Sequence, residues 1–335
     1  MNASAWCTRM DSASTASLPT VYDVRQAAKT IRGIAYRTPL YRSEYLSRRF
    51  DANVFLKLEC YQPTRVFKIR GAANKILSLS KVQRSHGLVA ASSGNHGLAV
   101  AHVARLVRAP ATIVVPTSAV REKVEAIKEQ GATIVEHGRS HAERFSRAKD
   151  IQKEQGAVLV HPFDDPKVIA GQGTVGLEIL EDLPDVDTVL VPVGGGGLIS
   201  GISLPFKAEK TETKVYGVQS DMAASMYESL KAGKPIRLED FHTIADGLAP
   251  GEPGQLTFRI VRENVEGILL TSDERIRWAT KAALESLHLL IEPSAAAVIA
   301  ALGESYKPRK GEDLVLVISG GNISLKLLRE LLAAE

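Results

Sequence analysis

The stretch Thr64-Arg65-Val66-Phe67-Lys68-Ile69-Arg70-Gly71-Ala72 follows a predicted strand and opens a segment with helical spacing. A lysine that reacts as an amine must lose its proton near neutral pH, which requires desolvation or a nearby positive field. Phe67 and Ile69 provide apolar neighbours, and the start of a helix provides the field. An ordinary surface lysine has similar neighbours, since most lysines are exposed. Lys68 is therefore a candidate reactive amine only if the rest of the chain builds a ligand site around it.

Apolar runs of strand length recur before and after this stretch, with helical segments between most of them. The runs are Val54–Cys60, Leu88–Ser92, Ala111–Pro116, Ala132–Glu136, Ala157–His161, Thr188–Val193, Lys214–Gln219, Gly267–Thr271 and Asp313–Ser319. They are rich in Val, Ile and Leu and nearly continuous, as expected for strands buried on both faces. The alternation predicts an α/β fold with helices on both sides of parallel strands.

The composition excludes several classes of protein. The chain has 335 residues and a formal net charge of +4, from 42 basic and 38 acidic residues mixed along its length, which does not indicate nucleic-acid binding. The two cysteines, Cys7 and Cys60, are too few for a disulfide framework or a zinc site. No apolar run approaches the ~20 residues of a membrane span. The polar stretch 1–19 lacks the apolar core of a secretory signal, so we expect a cytoplasmic protein.

The domain organisation follows from where the patterns change. We expect a disordered tail over residues 1–19, a large domain formed by 20–62 and 156–335, and a small domain formed by 63–155. The turn-rich His161–Pro166 segment is a joint between the two. Because ligands of open α/β sheets bind beyond the carboxyl ends of strands, we expect the chemistry in the cleft between the domains.

A second stretch, Ala91-Ser92-Ser93-Gly94-Asn95-His96-Gly97, joins a strand to a helix. Ser and Asn are good capping residues, and the free N–H groups of a first helical turn attract an anion such as a carboxylate. An ordinary helix cap explains the same residues.

A third stretch, Gly194-Gly195-Gly196-Gly197, ends a buried strand and leads into a helix. Glycine is costly in regular structure, and a turn alone does not need four in a row. Their adjacent N–H groups form a nest that suits phosphate oxygens. The stretch fits neither the nucleoside-triphosphate loop nor the dinucleotide spacing. A phosphorylated ligand is therefore expected, although a flexible loop is the alternative.

A fourth stretch, Ser319-Gly320-Gly321-Asn322, again joins a strand to a glycine turn, and Ile291-Glu292-Pro293-Ser294 precedes it. Both can direct small polar groups at a heteroaromatic ring, or be a plain turn and a plain cap. Together, an amine, a carboxylate site, a phosphate nest and a ring-edge hydroxyl fit pyridoxal phosphate joined to an amino acid.

At this point the sequence resembles the β-family, or fold type II, of pyridoxal-phosphate enzymes, in the branch of threonine and serine dehydratases and serine racemase. The resemblance covers about residues 20–330. It rests on these motifs in this order: Phe67-Lys68-Ile-Arg-Gly-Ala, Ser92-Ser-Gly-Asn-His-Gly97, His161-Pro-Phe-Asp-Asp165, Gly194–Gly197, Ala245-Asp246-Gly247, Glu292-Pro293 and Ser319-Gly-Gly-Asn322. It implies two open, twisted, mainly parallel sheets flanked by helices, with the cofactor between a large and a small domain, and it implies a homodimer.

The resemblance also implies roles for individual residues. Lys68 forms the internal Schiff base and later removes the α-proton, with Phe67 packed against the cofactor. Asn95 bonds the ring hydroxyl, Glu292 lies at the cofactor, and Ser319 faces the pyridine nitrogen. A serine at that place leaves the nitrogen largely uncharged and favours early loss of a β-leaving group. The remaining roles are the phosphate site, Gly194, Gly195, Gly196 and Gly197, and the substrate carboxylate site, Ser92, Asn95 and the His96 backbone.

The activity implied is that of an ammonia-lyase, which converts a β-hydroxy amino acid, threonine or serine by default, into a 2-oxo acid and ammonia. One alternative is a racemase, because in serine racemase a serine at the place of Ser93 faces the α-carbon opposite the lysine. Another is a lyase for a rarer substrate such as 3-hydroxyaspartate, phenylserine or a hydroxyectoine-derived compound. A non-catalytic binder of pyridoxal phosphate or a phosphorylated metabolite is the alternative from a different class.

The chain departs from its relatives in two places. Arg65-Val66 stands where a small Gly-Ser pair is usual, so Arg65 either faces the substrate, which would favour an acidic side chain, or points into solvent. The divalent-cation site of the racemase branch uses carboxylates, whereas the matching positions here are Gln219 and Ser225, and nearby Asp221 and Glu228 are offset from them. We therefore predict no metal site.

Overall fold

The structure is a computed structural model that describes residues 17–210 and 212–333. Residues 1–16, which make up most of the predicted tail and include Cys7, lie outside the described residues, so the tail stays a prediction. The strands are β1 (Leu40–Arg42), β2 (Asn53–Leu58), β3 (Leu88–Ala91), β4 (Ala111–Val115), β5 (Thr133–Glu136), β6 (Val158–Leu159), β7 (Thr188–Pro192), β8 (Lys214–Ser220), β9 (Gly267–Thr271) and β10 (Asp313–Ile318).

These strands form two sheets. The larger has the order β1-β2-β10-β7-β8-β9, and the smaller has the order β5-β4-β3-β6. All pairs are parallel except β1 with β2. The predicted α/β fold with two mainly parallel sheets is confirmed. The three-residue edge strand β1 is too short for a sequence pattern to reveal.

Helices cover the faces of both sheets. They are α1 (Val21–Thr30), α2 (Glu44–Phe50), α3 (Lys68–Leu77), α4 (Lys81–Ser85), α5 (Asn95–Leu106), α6 (Arg121–Lys128), α7 (His141–Gln155), α8 (Pro166–Asp182), α9 (Gly197–Glu209), α10 (Ser225–Ala232), α11 (Gln255–Asn264), α12 (Asp273–Leu287), α13 (Pro293–Ala300) and α14 (Leu325–Ala333). None of the helices in the described part is both long and apolar enough to cross a membrane.

The central strand β10 shows why the apolar runs are continuous. Leu314, Leu316 and Ile318 belong to the hydrophobic core on one face of the large sheet, and Val315 and Val317 belong to the core on the other face. All five are fully buried. Because successive side chains of a strand point to opposite faces, a strand covered on both sides needs an apolar residue at every position.

The small sheet extends slightly beyond the predicted domain boundary at 156. β6 pairs with β3, so this sheet reaches residue 159, and the division into two domains stays a prediction. Helix α8, which follows β6 in the chain, packs against α3. A Cβ on Gly71 would lie 2.4 Å from Gln172 Nε2, and a Cβ on Gly171 would lie 2.6 Å from the Arg70 carbonyl oxygen. These two glycines allow α3, which carries Lys68, to rest directly on the large domain.

A buried ionic network, which comprises Lys57, Glu59, Arg70 and Glu178, fixes the other side of α3. The Arg70 guanidinium donates to Glu59 at 2.7 and 2.8 Å and to Glu178 at 2.6 and 2.8 Å, and Lys57 Nζ lies 2.7 Å from Glu178 Oε2. Glu59 and Lys57 have no exposed surface, and Arg70 has 1%. Two positive and two negative charges balance, as buried charges require.

Candidate active site

One cavity of about 360 Å³ opens between the two sheets. The carboxyl ends of β3, β7 and β10 and the start of α3 converge on it. The structure brings every candidate site residue of the sequence analysis to its wall, namely Phe67, Lys68, Ser92, Ser93, Asn95, His96, Gly194, Gly195, Gly196, Gly197, Glu292 and Ser319. Residues that lie up to 252 positions apart in sequence, from Phe67 to Ser319, thus form one site.

Lys68 is the first residue of α3, and among the described residues no carboxylate lies within hydrogen-bonding distance of its amine. The Nζ atom donates to the Pro162 carbonyl oxygen at 2.8 Å and lies 5.0 Å from the centre of the Phe67 ring. Burial lowers the pKa of Lys68 to about 8, and only Glu292 opposes the shift. A substantial fraction of the amine is therefore neutral near physiological pH, which a nucleophile or base needs.

The segment before Lys68 is joined to the end of β10. The Phe67 N–H donates to the Ser319 carbonyl at 3.0 Å, and Val66 forms an antiparallel bridge with Gly320. Both backbone contacts place Lys68 and Ser319 at one wall of the cavity. Ser319 itself is 4% exposed.

The loop between β3 and α5 contributes an anion site. Asn95 is the first residue of α5, so the N–H groups of Asn95, His96 and Gly97 belong to a first turn with no intrahelical acceptor. The Ser92 carbonyl lies so close that a Cβ on Gly97 would be 2.4 Å from it. The His96 ring donates from Nε2 to the Val160 carbonyl at 2.8 Å, and burial lowers its pKa to about 3, so the ring is neutral. Only the backbone of His96 is left for an anion.

The four glycines each have a steric reason. A Cβ would lie 2.6 Å from the Gly247 carbonyl at Gly194, 2.4 Å from the Phe163 ring at Gly195, 2.6 Å from Met226 Cε at Gly196, and 2.8 Å from Phe163 Cβ at Gly197. Gly196, with φ +92°, caps α9. The loop is therefore packed against its neighbours, and its N–H groups lie at the start of a helix, where a phosphate is favoured. The alternative of a flexible loop does not fit this packing.

Glu292 and Asn95 form a buried polar pair across the cavity. Asn95 Nδ2 donates to both carboxylate oxygens at 2.9 Å, and Asn95 Oδ1 accepts from Asn322 Nδ2 at 2.8 Å. Burial, reinforced by Asp246, raises the pKa of Glu292 to about 7. Glu292 thus titrates close to physiological pH, and the Asn95 amide is oriented by its two partners.

The segment His161–Asp165 supports three walls of the site at once. The Pro162 carbonyl accepts from Lys68, Phe163 packs under the glycine loop, and Asp164 caps α11 by accepting from the N–H groups of its first three residues at 3.0, 2.9 and 3.2 Å. Asp165 accepts from Lys75 at 2.6 Å. The turn-rich joint is a structural hub, because residues 162 to 165 contact α3, the glycine loop and α11.

Comparison with known proteins shows the family to which the chain belongs. Residues 31–320 match the family of pyridoxal-phosphate-dependent enzymes. An L-threonine ammonia-lyase of Thermotoga maritima is 44% identical over 309 residues, which cover 92% of this chain and 77% of that protein. The chain belongs to the pyridoxal-phosphate-dependent enzymes.

Solved structures within this family share the fold. Maize serine racemase superposes with a TM-score of 0.90 at 38% identity, covering 94% of this chain and 97% of the racemase. A T.th. threonine deaminase superposes with a TM-score of 0.87 at 38% identity, covering 92% of this chain and 99% of the deaminase. This chain and both solved structures therefore share one fold, and the predicted family resemblance is confirmed.

The residues present fit pyridoxal phosphate. The glycine loop offers N–H groups in a nest that side chains would fill, and Lys68 provides an amine that burial has made partly neutral. Ser319, Asn95 and Glu292 provide the polar groups around the space between them. An aromatic ring, a phosphate and an aldehyde thus each have a matching partner in one cavity.

Arg65 does not line the cavity. It is exposed, has a left-handed backbone with φ 60°, and its guanidinium lies near Gly321. Of the two alternatives for Arg65, the structure favours the solvent-facing one. Three charged residues that the sequence analysis did not place in the site, Lys123, Arg144 and Asp246, do line the cavity. Lys123 and Arg144 lie on helices of the small domain, where single basic residues carry no recognisable motif.

Proposed function

We propose that this protein is an ammonia-lyase that removes the β-hydroxyl and the amino group of a β-hydroxy amino acid and releases a 2-oxo acid and ammonia. The observation that carries the proposal is the position of Lys68, a buried amine without a carboxylate partner in the described part of the chain, beside an anion site and a phosphate nest. The similarity to L-threonine ammonia-lyase and threonine deaminase supports the same reaction.

Lys68 supplies the base for this chemistry. Bound pyridoxal phosphate provides the electron sink that makes the α-proton of an amino acid acidic enough to remove. The Lys68 amine accepts that proton on Nζ, because its pKa of about 8 keeps a usable neutral fraction at physiological pH. The Pro162 carbonyl, 2.8 Å away, holds the amine in the cavity when it is not bonded to cofactor.

The loop at the start of α5 orients the substrate. Its free N–H groups and the Ser92 hydroxyl bind the carboxylate, and the helix start favours the negative charge. With the carboxylate fixed there and the amino group at the cofactor, the α-hydrogen is directed towards Lys68. A merely cofactor-binding protein would not need this carboxylate site.

Ser93 lines the same cavity and supports racemisation as a second activity. A hydroxyl on the face opposite the lysine can exchange a proton with the α-carbon. The similarity to maize serine racemase favours this second activity. Measurement of the D-enantiomer formed from L-serine tests it, and Ser93→Ala is expected to abolish that product while elimination remains.

Arg144 supports an acidic side chain as the preferred substrate type. It lies on α7 at the cavity wall, and its buried Nε has no hydrogen-bond partner within the described residues. Burial lowers the pKa of Arg144, and the neighbouring Glu143 opposes this shift only in part. A substrate carboxylate would satisfy this group, so we propose that 3-hydroxyaspartate is turned over alongside threonine and serine.

The test is 2-oxo acid and ammonia release from a panel of L- and D-β-hydroxy amino acids with pyridoxal phosphate present. We expect release from L-threonine and L-serine, and Arg144→Met is expected to lower kcat/KM for 3-hydroxyaspartate about tenfold or more while leaving threonine within about threefold. Arg65→Met, an exposed arginine outside the cavity, is the matched control. Equal losses for both substrates would refute the role of Arg144. Absence of release with intact visible absorbance of the bound cofactor would refute the lyase.

We also propose that the enzyme is a cytoplasmic homodimer. Exposed aromatic side chains are enriched at interfaces between subunits, and five tyrosines between residues 22 and 61 are more than a third exposed: Tyr22, Tyr36, Tyr41, Tyr45 and Tyr61. Light scattering of the purified holoenzyme tests the dimer, and a monomer mass would refute it.

A further inference from the structure

The resemblance to the racemase branch implies carboxylates that hold a divalent cation in the segment after β8. At the matching positions this chain carries Gln219, near the end of β8, and Ser225, the first residue of α10. Divalent cations of this kind prefer several oxygen ligands with negative charge. In the part of the chain that the structure describes, no group of three or more His, Cys, Asp or Glu side chains is arranged to hold a metal ion.

The polar atoms of Gln219 and Ser225 are already bonded to protein groups. Gln219 has no exposed surface, its Oε1 accepts from the Tyr227 N–H at 3.0 Å, and its Nε2 donates to the Ala223 carbonyl at 3.4 Å. The Ser225 hydroxyl, also fully buried, donates to the Pro250 carbonyl at 3.0 Å. The Gln219 amide and the Ser225 hydroxyl thus link backbone groups of this segment by hydrogen bonds, as a bound cation would do by coordination.

The nearby carboxylates are not available as replacements. Asp221 is exposed, and Glu228 lies 3.2 Å from Lys231 on the outer side of α10. A neutral amide and a neutral hydroxyl therefore occupy the interior of this segment, and its donor set does not fit a divalent cation.

This segment lies directly behind the phosphate nest. Met226, next to Ser225, has its terminal methyl group 2.6 Å from the place of a Cβ on Gly196, and Pro250 Cδ lies 3.0 Å from the place of a Cβ on Gly194. Pro250 also lines the active-site cavity. A shift of α10 or of Pro250 would therefore move the glycines that are positioned for the phosphate.

We propose that Gln219 and Ser225 act as positioning residues that replace a divalent cation behind the glycine loop. Their hydrogen bonds hold Ala223, Tyr227 and Pro250, and so keep the phosphate nest in shape without an ion. Retention of pyridoxal phosphate and turnover are then independent of divalent cations. The activity readout rests on the proposed lyase function, whereas cofactor affinity and thermal unfolding are measured without any substrate.

The first experiment compares the wild-type holoenzyme after exhaustive treatment with EDTA and after addition of 1–10 mM (roughly the range of weak sites) Mg²⁺, Ca²⁺ or Mn²⁺. We expect the dissociation constant for pyridoxal phosphate, the visible absorbance and the melting temperature to be unchanged. A loss of cofactor on chelation that any of these ions reverses would overturn the proposal. A lack of turnover with unchanged cofactor binding would instead count against the lyase function.

The second experiment restores the carboxylates. In Gln219→Glu with Ser225→Asp, two buried acids without a countercharge are expected to weaken pyridoxal phosphate binding at least tenfold in EDTA, and Mg²⁺ or Ca²⁺ is expected to restore it. Gln219→Leu, which removes the amide without adding charge, is expected to weaken cofactor binding similarly, with no response to cations. Asp221→Asn is the surface control. Wild-type cofactor affinity in Gln219→Leu would overturn the positioning role.

Discussion

Two lysines precede and follow the segment 58–67, which leads into α3, and they differ in their partners: Lys57 is fully buried and Lys68 is half-buried. Lys57 Nζ lies 2.7 Å from Glu178 and donates to the Thr38 carbonyl at 2.7 Å. Within the described residues, Lys68 Nζ donates only to the Pro162 carbonyl, and burial lowers its pKa to about 8. Burial alone thus does not make a lysine reactive. We attribute the lowered pKa of Lys68 to the lack of a hydrogen-bonded carboxylate, because Glu292 compensates the desolvated charge only in part.

Removing each amine in turn tests whether the two lysines differ in function. Lys68→Ala is expected to lower turnover by about 10³-fold or more, since it removes both the cofactor attachment and the base, and to abolish the visible absorbance of the bound cofactor. Lys57→Met is the control. It is expected to retain that absorbance and to lose about 3 kcal/mol in unfolding free energy, measured by urea denaturation, because Glu178 loses a buried partner. Loss of absorbance in both variants would contradict the distinction.

Arg70→Met tests the buried ionic network at α3, because it leaves Glu59 and Glu178 buried without their shared partner. We expect a loss of about 3–5 kcal/mol in unfolding free energy. Although burial opposes it, Arg70 holds the pKa of Glu59 below its usual range. A depressed carboxyl pKa stabilises the folded state above the unfolded pKa, and this stability is lost as pH falls through the folded pKa. Urea denaturation between pH 3 and pH 6 (roughly spanning the carboxyl range) should therefore show the wild-type advantage disappear in acid.

The contribution of Glu292, in the active-site cavity, to the free energy of unfolding has the opposite dependence on pH. The folded pKa of Glu292, about 7, lies above the ordinary carboxyl value of 4.5, so the folded protein binds more protons between these values and loses stability as pH rises through them. In the cofactor-free protein this contributes about 3 kcal/mol, and Glu292→Gln should remove it. Burial lowers the pKa values of His96 and His161, so these two residues make stability rise with pH in the wild type and in Glu292→Gln alike. The measurement is therefore the difference between the two curves of unfolding free energy against pH. Parallel curves would refute the raised pKa.

Smaller effects on stability and on cofactor affinity are expected from a change at the start of α11. Asp164→Ala removes the cap of α11 and is expected to cost about 1–2 kcal/mol in unfolding free energy. Because Thr257 on that helix donates to the Gly195 carbonyl at 2.7 Å, cofactor affinity should also fall severalfold. Ser272→Ala removes the cap of α12, which bonds Arg275 N at 3.3 Å, and should affect stability alone. Equal cofactor affinity in the two variants would show that the glycine loop does not depend on α11.

Those parts of the structure whose signal is local could be predicted from the sequence. Strand β10 and the Ser319-Gly320 turn are visible because an apolar run ends at glycines, and Lys68 is visible because its neighbours form a motif. Helix α11 has no start signal beside it in the sequence, because its cap, Asp164, lies about 90 residues earlier in the chain. Arg144 was missed for a related reason: its relation to the cavity exists only after α7 has packed against the small sheet.

The pairing of β2 with β10 has a consequence for how the protein is made. Register partners Asn53 and Asp313 are separated by 260 positions, whereas the small sheet is closed within residues 88–159. During synthesis the small sheet can therefore form while the ribosome is still translating, but β2 has to wait until almost the whole chain has emerged. We expect stalled nascent chains that end near residue 200 to protect the small sheet from protease and to leave β2 sensitive. The cofactor site, which joins Phe67 to Ser319, would then be among the last parts of the protein to assemble.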